Sequence, residues 1–185
     1  DGLSSNNVYS IVKDRSGKLL IGTFNGLNIL ENGRFGQIKS NSDKILTGYI
    51  YSIKNNNNEF FICSASGRNE MINISSKGMK LHMFDALSFC KLRNGLFLFG
   101  TRANSIRVQR DLNYKKNQSY VFNIFGDSFN ENRVNEIYED AKKNVWIGTG
   151  LGLCKVSNLP GKFEKAGWKK TFFPSIPILN SRINS

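Results

Sequence analysis

Histidine is almost missing from this sequence, with His82 the single example in 185 residues. That scarcity excludes a multi-histidine metal centre and leaves few groups for general base catalysis. Cysteine is sparse as well. Cys63, Cys90 and Cys154 are odd in number and form no C-x-x-C pair, so a disulfide framework is excluded and buried apolar roles are expected. No apolar run approaches the roughly 18 residues of a membrane-spanning helix, and the opening DGLSSNNVYS lacks signal-peptide character. The chain then reads as cytosolic, or as a mature or excised piece of an exported protein. Helical periodicity is lacking too, and no helix longer than a turn is expected. Acidic residues number only 14 against 26 Lys and Arg, a net charge of +12 that favours an anionic partner. Nucleic acid, an anionic membrane surface and acidic polysaccharide all meet that condition. Nucleic acid is not expected, because the basic residues are dispersed, with no run denser than Lys115-Lys116 or Lys169-Lys170 and no recognition helix or stacking motif.

What the sequence does contain is a repeat. DRSGKLLIGTFNGLNIL at 14–30 and DAKKNVWIGTGLGLCKV at 140–156 match turn for turn: Asp, polar turn, apolar run, Ile-Gly-Thr, loop, Gly-Leu. Weaker copies lie at 55–74 and 92–108, and each copy follows a short alternating segment. Equivalent positions fall at Ser10, Ser52, Ser88 and Glu136, spacings of 42, 36 and 48 residues. A period near forty made only of short strands indicates blades of a β-propeller. The expected fold is therefore all-β, with four four-stranded antiparallel blades in units 2–44, 45–82, 83–128 and 129–180. Residues 182–185, RINS, read like 133–136, RVNE, so a fifth unit is expected to begin at 181 and the blades to belong to a larger ring.

In the first unit the strands are expected at Val8–Lys13, Leu19–Thr23, 27–30 and 35–39, joined at Ser16-Gly17, Asn25-Gly26 and Asn32-Gly33. In the third unit the last two strands are expected at Ser105–Gln109 and 120–125, and in the fourth the last at 168–172. Bulky side chains such as Phe60, Phe61, Phe97, Phe99 and Trp146 read as blade-to-blade packing.

Little in the sequence supports covalent chemistry. There is no Gly-x-Ser-x-Gly elbow, and His82, within KLHMF, reads as a surface or partly buried structural residue. A glycosidase needs two carboxylates facing across a cleft, and only Glu131 with Glu136 offers such a pair. Asp14 and Asp140 read better as turn formers whose carboxylates accept backbone N–H groups. Gly22, Gly100 and Gly148 stand at strand ends once per unit without a following Gly-Lys-Ser/Thr, which indicates close backbone packing and not a phosphate cradle. No catalytic residue, metal or cofactor is expected.

Residues 2–30, GLSSNNVYSIVKDRSGKLLIGTFNGLNIL, closely resemble the repeat of the two-component regulator propeller family, and 130–156 also match, including Trp146. The middle copies depart from it: Cys63 replaces Gly, Phe61 and Leu98 replace Trp, and neither keeps the Asp. The resemblance implies a periplasmic sensor of a membrane-bound hybrid histidine kinase, in which two seven-bladed propellers precede an immunoglobulin-like domain. It also implies a response to oligosaccharides released from polysaccharides. The expected partners are an oligosaccharide, acidic ones among the candidates, or another small anionic ligand. A second copy of the receptor is expected in the full-length protein, and membrane contact only through segments outside this chain. A protein-interaction scaffold and a propeller glycosidase or lyase are the alternatives.

Alternating strands send the second-to-third and fourth-to-first loops to one face. Those loops carry Phe24, Asn25, Tyr49, Arg68, Asn69, Arg102, Asn104, Asn132 and Arg133. Aromatic faces suit sugar rings, amides suit hydroxyls and guanidinium forks suit carboxylate or sulfate, so these nine are the candidate ligand residues. Arg68, Arg102 and Arg133 are expected to form an anion-selective patch.

Overall fold

The computed structural model describes residues 2–39, 48–57, 59–65, 69–82, 86–102, 105–112, 119–123, 133–157 and 169–174. Among the described residues there are sixteen strands and no helix. The first sheet holds β1 (Val8–Lys13), β2 (Leu19–Thr23), β3 (Gly26–Glu31) and β4 (Arg34–Gln37). The second holds β5 (Tyr49–Asn56), β6 (Glu59–Ala65), β7 (Asn69–Ser75) and β8 (Gly78–His82). The third holds β9 (Ser88–Lys91), β10 (Phe97–Gly100), β11 (Ser105–Gln109) and β12 (Ser119–Asn123). The fourth holds β13 (Val134–Glu139), β14 (Val145–Thr149), β15 (Gly152–Ser157) and β16 (Lys169–Pro174). Each sheet is an antiparallel meander in chain order.

Turn chemistry sets these hairpins. Asn32 and Gly33 both have positive φ, 51° and 74°, between β3 and β4, as a two-residue loop matched to the strand twist requires. At the β1–β2 corner Asp14 accepts from the Lys18 backbone N–H (2.9 Å) and the Ser16 hydroxyl (2.8 Å). Asp140 repeats this at the β13–β14 corner. One oxygen takes the backbone N–H groups of Lys142 and Asn144, and the other takes Asn144 Nδ2 and Trp146 Nε1 at 2.8 and 2.9 Å.

Those bonds, first from the Asn144 amide and next from the Trp146 indole, hold the Asp140 carboxyl at about 2, below its ordinary 3.8. A depressed carboxyl stabilises the fold fully above its unfolded value and loses that contribution as pH falls through the folded value. The wild type is therefore expected to lose urea resistance between about pH 4 and pH 2, and Asp140→Asn to lose less across that interval. Equal losses in the two proteins would show that Asp140 carries no such linkage.

The four sheets stack through their first strands. β5 packs on β1 and β2, β9 on β5 and β6, and β13 on β9 and β10. Three buried layers result. Leu20, Leu27, Ile50, Ile53, Phe60 and Ile62 are in the first, with Ile72. Phe61, Cys63, Ala86, Phe89, Phe97 and Phe99 form the second. The third is aliphatic, including Leu98, Ile106, Val108, Val134, Ile137 and Ile147. Ser10, Ser52, Ser88 and Glu136 occupy matching places, opposite Gly22, Cys63, Gly100 and Gly148. A register irregularity precedes that position in β1, β5 and β13. Side chains cross between blades at the same level: Ile53 N–H donates to Ser10 Oγ (3.0 Å) and Ser88 Oγ donates to Val134 O (3.0 Å).

This stacking explains the recurrent Gly-Thr. A Cβ on Gly22 would lie 2.6 Å from Ile50 Cγ2, and one on Gly100 would lie 2.5 Å from Val134 Cγ1, so in both cases the next blade fills the space. Cys63 takes the glycine position in the second sheet, and the small Ala86, two residues before Ser88 as Ile50 is before Ser52, lies in the same buried layer. The threonine closes the following turn. Thr23, Thr101 and Thr149 donate their hydroxyls to the carbonyls of Gly26, Ser105 and Gly152 at 3.0, 3.1 and 2.8 Å.

Candidate functional site

The loop from β2 to β3 meets the start of β5 through the Gly26 N–H, which donates to Gly48 O at 2.9 Å. That contact brings Phe24 beside Tyr49, with ring centroids 4.3 Å apart in an edge-on arrangement. Tyr49 stacks on Tyr51 at 5.9 Å with planes 5° apart, and Tyr9 of β1 approaches Tyr51 at 6.3 Å. From the third blade, Arg102 donates Nη2 to the Tyr51 hydroxyl at 2.9 Å, its guanidinium carbon 5.7 Å from the Tyr51 ring centroid. Three successive blades thus converge on one aromatic run that ends at a guanidinium. Phe24, Tyr49 and Tyr9 are exposed and Tyr51 and Arg102 are half-buried, so the run is a surface and not core.

Arg133 stands exposed on the neighbouring loop, where the adjacent Val134 N–H donates to Thr101 O at 3.0 Å. Arg102 and Arg133 therefore flank the same backbone contact. Asn25 is exposed in the β2–β3 turn, its N–H held by Thr23 Oγ1 at 3.1 Å. Asn69 is the first residue of β7, at the corresponding corner of the second blade. Arg68, Asn104 and Asn132 lie outside the described residues, as does Glu131.

Tyr9 and Tyr51 belong to the site without being among the candidates read from loops. They precede the equivalent Ser10 and Ser52 in the alternating VYSIVK and IYSIKN, so their shared position was the available signal. On an alternating strand a tyrosine reads equally well as packing.

Other polar groups meet elsewhere. Lys54 of β5 pairs with Glu136 of β13 at 2.5 Å, reaching past the third blade, which confirms that the first strands converge on one axis. Cys90 lies beside this pair, and burial pushes its thiol up to about 11, which favours the protonated form. His82 is partly buried; burial lowers its pKa against a hydrogen bond from the ring to the Leu112 backbone that raises it. It lines a cleft of about 330 Å3 with Glu59, Asn73, Lys80, Phe97 and Asp111. Among the described residues no group of three metal-binding side chains occurs, and no helix is long and apolar enough to cross a membrane.

Four meandering sheets stacked by their first strands define blades of a β-propeller. The model of the family described as Two component regulator propeller matches residues 2–25 and 128–150, which fall on the first and fourth repeats. No curated protein matches the sequence. Among solved structures, the extracellular domain described as that of the hybrid two component system BT3049 from B. thetaiotaomicron is similar at 21% identity and a TM-score of 0.69. The match covers 96% of this chain and 25% of that one. The corresponding domain of BT4673 from the same organism is similar at 23% identity and a TM-score of 0.63, over 84% and 22% of the two chains. Virginiamycin B lyase from Staphylococcus aureus, crystallised with quinupristin, shares the fold at 14% identity and a TM-score of 0.62, over 97% and 59%. The chain spans about a quarter of the length of the two-component extracellular domains it matches.

Proposed function

We propose that this chain is a ligand-binding part of the extracytoplasmic, periplasmic sensor of a hybrid two-component system, and that its ligand is an oligosaccharide released from a polysaccharide. The observation that carries the reading is the surface formed by Phe24, Tyr49 and Tyr51 and closed by Arg102, to which three blades contribute. Aromatic faces exposed in a row accept the apolar faces of sugar rings, and a guanidinium at the end of the row accepts an acid group. The family repeats and the likeness to extracellular domains of two-component systems support the sensor role. Binding signals only if one arrangement of the receptor holds the ligand better than another. In the full receptor a second copy of the chain supplies the other half of that arrangement.

The test is calorimetric titration of the chain with oligogalacturonate and with its carboxyl-reduced counterpart. Removing a charge-assisted hydrogen bond costs roughly 1.5–3 kcal/mol, so Arg102→Ala with Arg133→Ala is expected to weaken the acidic ligand by tenfold or more and to leave the neutral one within about twofold. Unchanged affinity for the acidic ligand would dispose of the guanidinium role.

A further inference from the structure

We propose that Tyr51 is the residue that makes this surface select an oxyanion, its hydroxyl acting with Arg102 as one paired donor; this inference rests on the ligand-site reading above. The geometry is specific. Arg102 Nη2 donates to Tyr51 Oη at 2.9 Å, so the phenol oxygen acts there as an acceptor and its own hydrogen is directed elsewhere. A hydroxyl that accepts from a cation is polarised by it, and its O–H becomes the stronger donor to a following acceptor. The same bond fixes where the guanidinium sits. Arg102 is held from the side by a ring that is itself held by stacking on Tyr49 at 5.9 Å and by Tyr9 at 6.3 Å.

The positive charge and the phenol O–H are therefore ordered before any ligand arrives. Ordering a long side chain in advance removes an entropic cost that binding would otherwise carry. An incoming carboxylate or sulfate oxygen receives a short charge-assisted O–H···O bond beside a full positive charge, while a neutral hydroxyl gains little from either. Phe24, at the far end of the run beside Tyr49, carries no polar group. The surface thus has a direction, with the anionic unit of the ligand at the Tyr51 end and a less polar ring toward Phe24.

Tyr51→Phe separates the two functions of the residue, because the ring and its stacking stay and only the hydroxyl goes. The probes are sodium glucuronate and glucose, titrated into the isotopically labelled chain and followed by amide chemical shifts. Wild type is expected to bind glucuronate about tenfold tighter than glucose. Tyr51→Phe is expected to bring the two within about twofold of each other, the loss falling chiefly on glucuronate. If Tyr51→Phe keeps the tenfold preference, the role of Tyr51 is overturned while the site stands. If wild type responds to neither sugar, the site reading falls and takes this inference with it.

Discussion

Gly100→Ala is expected to destabilise the chain by about 3 kcal/mol, the upper part of the range for overpacked interiors, read as a lowered urea midpoint. The new methyl would meet Val134 Cγ1 at 2.5 Å and Cβ at 2.8 Å, and would also collide with Ser88 Oγ. Ser88 cannot step aside cheaply, since its hydroxyl is buried and donates to Val134 O at 3.0 Å. Gly22→Ala meets the same difficulty against Ile50 Cγ2 at 2.6 Å and Ile50 O at 3.0 Å. Among the described residues Gly148 meets ordinary contacts, with Glu136 Cβ at 3.8 Å and Glu136 O at 4.0 Å from an added Cβ.

Gly22 and Gly100 are thus held to glycine by what the next blade places against them and not by backbone freedom. The small Ala86 in the layer that holds Cys63 indicates the remedy. In a double-mutant cycle, Gly22→Ala with Ile50→Ala is expected to be less destabilised than the summed single changes by roughly 1–3 kcal/mol. Should the double variant be as destabilised as the summed single changes, stacking would not be the reason for the glycine.

That contrast also shows which parts of the molecule are legible in the sequence. Strands β1 and β2 fall at the expected residues because their apolar runs end abruptly at Asp-x-x-Gly or Asn-Gly turns, and β11 also falls at its expected residues. The last strands are less well placed: β4 ends at Gln37 and β16 reaches Pro174, since outer strands carry little buried periodicity to mark their limits. The reason for the Gly-Thr glycine is legible as close packing, yet its partner is not. Ile50 and Val134 lie 28 and 34 residues further along the chain, and only the stacking brings them in. The site divides likewise. Phe24 and Arg102 are loop residues of suggestive chemistry and Tyr49 opens β5, whereas Tyr51 becomes part of a site only when Arg102 reaches it from a neighbouring blade 51 residues away.

Phe89→Ala is expected to cost about 3–5 kcal/mol and to make the two ends of the chain unfold separately. Phe89 is buried at the layer between the second and third blades, stacked on Phe61 at 4.4 Å and 5.3 Å from Phe99. It is the aromatic centre of that layer, while the layers on either side are chiefly aliphatic. In a stacked repeat each unit is held by its own hydrogen bonds and its neighbours alone, so an interface weakened in the middle uncouples what lies on each side. The Lys54–Glu136 ion pair also joins the second and fourth blades, but both side chains are exposed by a third or more, and such a pair contributes about 0–1 kcal/mol. It cannot replace the lost ring. Trp146 and Trp168 are the only tryptophans, so fluorescence reports the C-terminal end while far-ultraviolet circular dichroism reports all the strands. In wild type the two urea transitions are expected to coincide; in Phe89→Ala they are expected to part, with Phe89→Leu between them. A coincident pair shifted by less than about 1 kcal/mol would mean that the blades are coupled by something other than the layer around Phe89.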